Sequence, residues 1–167
     1  MVPSNDLKRI YMLSDLPEEM LEKVAGITKL YLYSANMPLF GSGQQLKHFY
    51  MILTGQVSLS IEIVPDVSII LGAVGPGHAC GVSAFIPGSK SSSRAVCDEP
   101  SELLLISADE LFALFEEDRD LAYYFTMRIV RLYKAIINHR TSIFLKSLSN
   151  NPQVQKNLKQ TRLDQVV

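Results

Sequence analysis

The stretch "GHACGVSAFIPGSKSSSRAVCDEPSELLLI", from Gly77 to Ile106, decides how this sequence folds. Short apolar runs border it, and between them lie glycines, prolines, a cluster of serines and one arginine, Arg94. Short strands separated by Gly and Pro turns are typical of a closed β-structure. Loops of this composition also bind phosphate groups, because their backbone N–H groups can converge on an anion. The stretch therefore indicates a β-fold that carries a candidate anion loop.

The β pattern extends upstream to Thr28. "TKLYLYS" alternates in the manner of a strand, and "VSIILGAV" and "SELLLI" are further strand candidates. "HFYMIL" and "QVSLSIEI" are two more strands, joined at Thr54-Gly55 by what we expect to be a hairpin-type connection. The fold class is α+β with a mainly β core. We expect an antiparallel, jelly-roll-like β-roll of about eight strands over residues 28–106.

Helical patterns flank the roll on both sides. Residues 1–27 contain "SNDLKRIYML" and "DLPEEMLEKVAGI", which have apolar residues at helical spacing. Residues 107–148 begin with "SADELFALFEED", where Ser107 and Glu110 have capping-box spacing, and continue as one long helix from about Asp120 to Leu148. Residues 149–167 form a polar tail. We predict one structural domain overall.

The long helix carries an apolar stripe at alternating three- and four-residue steps, which is the spacing of a coiled-coil seam. Because the preceding helix already covers the roll, this stripe favours a partner helix, and we predict a parallel homodimer. Packing of the stripe on the chain's own roll is the alternative. The predicted seam consists of Phe125, Ile129, Leu132, Ile136, His139 and Ile143.

Composition excludes several classes of protein. The net charge of −1 argues against bulk nucleic-acid binding, and two cysteines, Cys80 and Cys97, are too few for a disulfide framework. No apolar run is long enough for a membrane span, so we expect a cytoplasmic protein without a membrane partner. The three histidines lack metal-ligand spacing, and no nucleophile–base pair is evident. We therefore expect neither a metal site nor an enzyme.

Several landmarks in order resemble the cyclic nucleotide-binding domain of the catabolite-activator (CRP/FNR-like) type. They are "DLPEEMLEKVA", "FGSGQQLKHFYMILTGQVSLSI", "LGAVGPGHACGVSAF" and "SELLLISADELFALFEEDRDLAYYF", and the resemblance covers about residues 14–148. It implies a stand-alone β-roll in which the loop within the stretch from Gly77 to Ile106 is a phosphate-binding cassette. It also implies a cyclic nucleotide such as cAMP or cGMP as ligand; no other cofactor is expected.

The cassette diverges from the family pattern, which is Gly-Glu-x-Ala-x followed by a variable stretch and Arg-x-Ala. Gly81 and Ala84 match, but Val82 stands at the glutamate position. Counting back from "SELLLI" without a gap puts Ser91 at the arginine position; Arg94 takes that position only if the turn "DEP" is three residues short. The predicted ligand-binding residues are Gly81, Val82, Ser83, Ala84, Ser91, Ser92, Arg94 and Ala95.

Two functions remain open from the sequence. The first is a regulatory sensor that binds a small anionic ligand, with Arg94 as counter-charge, and signals through its C-terminal helix to an unidentified protein partner. The second is a ligand-free interaction and dimerisation module, favoured by Val82 and the displaced Arg94. Residues 149–167 are too few for the winged helix-turn-helix found in transcription factors of the family, so we expect no direct DNA binding.

Overall fold

In the part of the chain that the structure describes, eight antiparallel strands form two four-stranded sheets. The computed structural model describes residues 2–65, 67–152 and 155–156. The elements are α1 (Ser4–Lys8), α2 (Glu18–Ile27), β1 (Thr28–Tyr33), β2 (Pro38–Phe40), β3 (His48–Thr54), β4 (Val57–Val64), β5 (Val67–Val74), β6 (Ala79–Cys80), a 3₁₀ turn (Val82–Phe85), β7 (Arg94–Cys97), β8 (Ser101–Ser107), α3 (Ala108–Glu117) and α4 (Arg119–Ser149). The predicted β-roll with flanking helices and a long C-terminal helix is confirmed.

The two sheets have strand orders β1-β8-β3-β6 and β2-β7-β4-β5. In β3 and β8, residues on both faces are buried: Tyr50 and Ile52 lie in the inner cluster of the roll, while Phe49 and Met51 are buried on the opposite face. Both faces are buried because α2 and α3 lie close to β1 and β8 outside the roll. The inner cluster contains Phe40, Leu46, Tyr50, Ile52, Val57, Cys80, Ala84, Ala95, Cys97, Leu103, Leu105 and Ala108.

The Thr54-Gly55 connection is a corner between the two sheets, so the predicted hairpin at this point is wrong. β3 pairs with β6 and β8, whereas β4 pairs with β5 and β7. Gly55 has a φ of 85°, and a Cβ there would overlap Ser101 and the carbonyl of Pro100. Glycine is required because the chain changes sheets in tight contact with the turn before β8.

The chain divides into two compact units, residues 1–131 and 132–167. Asp118 caps α4, because its Oδ1 accepts a hydrogen bond of 2.9 Å from the backbone N–H of Leu121. The predicted capping box at Ser107 does not form, since that side chain makes no cap hydrogen bond. Within the described ranges, none of the helices is both long and apolar enough to cross a bilayer. Most of the predicted polar tail lies outside the described residues.

Candidate functional site

The candidate site begins at Gly81, where β6 passes into the 3₁₀ turn. Gly81 has a φ of 80°, and a Cβ at this position would lie 2.9 Å from Cδ2 of Tyr50 and 3.2 Å from the carbonyl oxygen of His48. The turn is closed by a hydrogen bond of 3.0 Å from the Ala84 N–H to the Gly81 carbonyl. Glycine is thus required both by the left-handed backbone and by the approach of the Tyr50 ring.

The turn presents apolar side chains at its buried positions. Val82 is 5% exposed and Ala84 is 7% exposed, while Ser83 is half-buried. Valine neither donates nor accepts a hydrogen bond, so the side chain at position 82 cannot satisfy a ligand hydroxyl. The backbone of the predicted cassette turn is present, but the acceptor side chain expected at position 82 is replaced by a buried valine.

The serine segment that precedes β7 is held by hydrogen bonds within itself and to the segment between β2 and β3. The Ser91 hydroxyl donates a hydrogen bond of 2.7 Å to the carbonyl of Ser93, and the N–H of Ser93 donates to the Ser91 hydroxyl at 3.3 Å. The Ser91 N–H and carbonyl bond to Gln44 and Gly43, at 2.8 and 2.7 Å. Ser91 and Ser93 are both buried, whereas Ser92 is exposed. The Ser91 hydroxyl therefore serves to close its loop.

Arg94 and Ala95 lie on opposite faces of β7. Ala95 and Cys97 are fully buried in the inner cluster, and Arg94 is exposed opposite Ser60 of β4. Because side chains alternate along a strand, the Arg94 side chain leaves the sheet on its outer face. The buried positions 91, 93, 95 and 97 form the inward series. A role for any of these residues in ligand binding stays a prediction.

The inner cluster contains neutral groups next to the turn. The Tyr50 ring lies 5.5 Å from the Phe40 ring, and its hydroxyl donates a hydrogen bond of 3.4 Å to the Leu39 carbonyl. Burial raises the pKa of Tyr50 and of the Cys80 thiol to about 12, and it also raises the pKa of Cys97. All three groups are therefore uncharged at neutral pH.

Two surface clefts, of about 500 and 510 Å³, lie away from the cassette. The first is lined by residues of α2, α3 and the start of α4, including Lys23 and Asp118, whose ion pair measures 2.7 Å. The second lies along α4 in the second unit, between Asn138 and Ser149. Among the residues that the structure describes, no three His, Cys, Asp or Glu side chains are grouped to hold a metal ion.

An aromatic cluster connects the turn to α4. The ring of Phe85, the last residue of the turn, lies 4.9 Å from Phe49 and 5.9 Å from Phe125 of α4. Phe125 also lies 5.6 Å from Phe115 of α3, and it is fully buried. Phe125 is a member of the predicted dimer seam, but its side chain is buried against Phe85 and Phe115 of its own chain. The seam spacing alone does not reveal which neighbour covers a helix face.

The remaining members of the predicted seam are partly or wholly accessible. Ile129, in the first unit, is half-buried; in the second unit Leu132, Ile136 and Ile143 are half-buried and His139 is exposed. Their role in a dimer stays a prediction.

A buried arginine also holds the packed face of α4, and no pattern in the sequence predicted it. Arg128 is 8% exposed, and its guanidinium donates hydrogen bonds of 2.7 and 3.2 Å to Oδ1 of Asp15. A third bond, of 3.2 Å, reaches the carbonyl of Tyr124. The hydrogen bonds from Arg128 lower the pKa of Asp15 below its usual value. The two residues are 113 positions apart, so only the fold brings them together.

Similar solved structures share this architecture. A cyclic nucleotide-binding domain from Methylobacillus flagellatus has a TM-score of 0.77 and 19% identity, covering 86% of this chain and 84% of that chain. The catabolite activator protein of Thermus thermophilus has a TM-score of 0.67 and 21% identity, covering 83% and 63%. The c-di-GMP responsive global regulator CLP of Xanthomonas campestris has a TM-score of 0.66 and 19% identity, covering 82% and 74%. Identities this low establish the fold alone.

A comparison with curated proteins gives no significant match.

The sequence matches a family model directly. The model of the cyclic nucleotide-binding domain covers residues 32–118, which is more than half of the chain and includes the turn, β7 and α3. The resemblance predicted from the sequence landmarks is thereby confirmed: the chain belongs to the cyclic nucleotide-binding domain family.

Proposed function

We propose that this chain is a cytoplasmic regulatory domain that responds to a contact at its cassette turn and signals through α4, working as a homodimer. The observation that carries the proposal is the contact between Phe85 of the turn and Phe125 of α4. Protein interiors are close-packed, so a shift of one ring requires a shift of the other. Binding that moves the turn would therefore change the angle of α4, which an unidentified protein partner reads.

A cyclic nucleotide does not fit this site in the manner usual for the family. Val82 provides no acceptor for a ribose hydroxyl, and Arg94 lies on the outer face of β7, away from Ala95 and the inner cluster. An unsatisfied buried hydroxyl costs about 1–3 kcal/mol, or roughly ten- to a hundredfold in affinity. We therefore assign the Arg94 side chain no part in holding an anion inside the roll.

Two inputs are compatible with this arrangement. The first is a small anionic ligand, such as cAMP, cGMP or a relative, held weakly by the turn backbone; the left-handed Gly81 and the closed turn favour it. The second is a protein contact without any ligand, in which the roll serves only as the scaffold of an interaction module. The neutral inner cluster around Tyr50 and the buried Val82 favour this second input.

Isothermal titration of the purified chain with cAMP, cGMP and cyclic dinucleotides tests the proposal, with Arg94→Ala as the control. Any binding should be equally strong in Arg94→Ala, because the side chain faces solvent. Val82→Glu should strengthen binding by roughly ten- to a hundredfold if a ligand uses the turn, since it supplies the missing acceptor. Micromolar binding that disappears in Arg94→Ala would contradict the proposed site.

The same titrations separate the two inputs. A ligand at 100 times its dissociation constant adds about 2.7 kcal/mol of stability, which raises the melting temperature by several degrees. Wild-type protein that shows neither heat nor a melting shift, combined with a gain in Val82→Glu, identifies a ligand-free module on an inactive cassette. A melting shift in wild-type protein identifies a sensor.

A further inference from the structure

Each of the two sheets ends in two edge strands, and the four edges differ in length and chemistry. Among the described residues, β2 and β6 are edges of only three and two residues, and β2 begins with Pro38, which has no N–H to offer. β1 has six residues and carries Lys29, whose ammonium lies 3.4 Å from Glu110. Short length, proline and lysine are common protections of a sheet edge. β5 is the exception, because its eight residues contain no charged side chain and no proline.

β5 is paired on one side. Its residues Ser68, Ile69 and Ile70 pair with β4 in unbroken register. Within the part of the chain that the structure describes, β5 has no strand on its other side. Because backbone N–H and C=O groups alternate in direction along a strand, half of those in β5 point away from β4. They form a row of hydrogen-bond donors and acceptors that a further strand can use.

The side chains of this edge are apolar on both faces of the sheet. Side chains alternate along a strand, so the neighbouring Ile69 and Ile70 lie on opposite faces. Both are exposed, at 48 and 69%, as is Val67 at 52%. The register with β4 skips Leu71, and this bulge ends the regular stretch at Ile70. We name residues 67–70 the β5 edge; a strand added there would bury aliphatic surface on both faces at once.

The charges near the β5 edge in the sequence are negative. Between His48 and Ser89 there are two acidic residues, Glu62 and Asp66, and no lysine or arginine. A second copy of the chain would bring the same acidic segment against itself, and a lipid surface would leave the backbone groups of the edge without partners. An extended peptide with basic flanks satisfies both the hydrogen-bonding groups and the charge.

We infer that the β5 edge binds an extended segment of a partner protein, which adds a fifth strand to the sheet β2-β7-β4-β5. The main chain of that segment hydrogen-bonds to β5, its consecutive aliphatic residues cover Ile69 and Ile70 on the two faces, and lysine or arginine flanks it. The β5 edge lies wholly within residues 1–131 and uses neither the cassette turn nor α4, so the inference goes beyond the proposed function.

A synthetic peptide, Lys-Lys-Val-Ile-Val-Ile-Lys-Lys, tests whether the edge accepts a strand. N-methyl groups on alternate residues block one edge of the peptide, so that it cannot stack on itself, and leave its other edge free to pair. Titration of the fluorescently labelled peptide with the full chain should give a saturable rise in anisotropy. The same peptide N-methylated on both edges should not bind, because its main chain has lost its donors. Equal binding of the two peptides, or no binding of the first at millimolar concentration, would overturn the inference.

Matched substitutions on two sheet edges locate the peptide. Ile70→Lys places a positive charge on the β5 edge, and Leu32→Lys places one on β1, where the side chain is 75% exposed. Kd for the peptide should rise about tenfold or more in Ile70→Lys, since like charges repel and an aliphatic contact is lost, and it should not change in Leu32→Lys. Both side chains are exposed, so melting temperatures should stay near that of the wild type. A loss of binding confined to Leu32→Lys would contradict the assignment to β5.

Hydrogen exchange provides a readout that does not depend on any variant. Bound peptide should slow exchange at alternate amides within residues 67–70, because the N–H groups that point away from β4 become hydrogen-bonded. Unchanged exchange in these residues at saturating peptide would place the peptide elsewhere and refute the inference.

Sedimentation of the chain without peptide separates a partner strand from a second copy. An oligomeric state that is the same in the wild type and in Ile70→Lys supports the inference. An oligomer that dissociates in Ile70→Lys and persists in Leu32→Lys would show β5 pairing with itself and would overturn the assignment to a different protein. The cyclic nucleotide titrations depend on the turn and on the Phe85–Phe125 contact, so this inference and the proposed function can fail separately.

Discussion

The 3₁₀ turn from Val82 to Phe85 and the segment from Ser91 to Arg94 are the two sides of one loop, and different forces hold them. The turn is fixed by contacts with the core: Gly81 lies under the Tyr50 ring, and Phe85 packs on Phe49 and Phe125. The segment is fixed by hydrogen bonds, both within itself and to the backbone of Gly43 and Gln44, and its one charged side chain points outward.

This difference shows that the two sides of the loop are maintained by different contacts. The turn contributes to packing whether or not a ligand binds, so its glycine and phenylalanine are required by the fold. A buried charge without a ligand is costly, whereas the buried Ser91 hydroxyl is satisfied by the carbonyl of Ser93. The fold therefore requires the turn whether or not anything binds to the loop.

Removing the ring that connects the turn to α4 is the most damaging change that we predict. Phe125→Ala should lower the free energy of unfolding by about 3–5 kcal/mol, because the ring is fully buried against Phe85 and Phe115. Phe144→Ala is the matched control on the same helix, since Phe144 is 61% exposed. Urea denaturation of both variants measures the difference. Equal losses would mean that the turn is not held by α4.

Gly81→Ala tests whether the turn is as tightly constrained as its contacts indicate. The substitution places a side chain at a φ of 80° and within 2.9 Å of Tyr50, so it should cost about 2–4 kcal/mol. Gly88→Ala, in the same loop, is the control: its φ is 75°, but nothing lies within 4 Å, and only the backbone penalty of about 1–2 kcal/mol applies. Similar melting temperatures for the two variants would remove the distinction between the turn and the rest of the loop.

The smallest effects are expected on the other side of the loop. Ser91→Ala should cost about 1 kcal/mol, because it leaves the buried Ser93 N–H without its hydroxyl partner. Arg94→Ala should change stability by less than about 0.5 kcal/mol, since the side chain is exposed. Thermal denaturation of the pair gives the comparison. A larger loss for Arg94→Ala than for Ser91→Ala would indicate that the arginine has an inward role.

Much of the fold was predictable because its signals are local. Alternation in β4 and the glycine at position 81 are visible in a short window of residues. The register of Arg94 could not be predicted in this way, because it depends on how many residues the turn "DEP" uses before β8. The Thr54-Gly55 connection was misjudged for a related reason: a turn glycine shows that the chain bends, and it does not show whether the next strand returns to the same sheet.

Which face of α4 is covered by its own chain also could not be predicted from local sequence signals. The predicted seam has the same spacing as a second stripe on α4 that lies two residues earlier in phase and consists of Tyr123, Met127, Val130, Lys134, Ile137 and Thr141. Only the packing of Phe125 and the ion pair of Arg128 with Asp15, far apart in sequence, show which side of the helix is already covered. Periodicity predicts that a helix has a partner, and tertiary contacts identify the face that remains for it.

The two buried thiols give this protein a built-in reporter of its own opening. Cys80 and Cys97 are both buried, so a thiol reagent cannot reach either sulfur in the folded roll, and burial also raises the pKa of both thiols. Labelling can therefore proceed only from molecules that have transiently opened around β6 and β7. The rate of thiol modification, compared with that of the unfolded chain, then measures the free energy of opening at the cassette from the protein's own cysteines, with no engineered label.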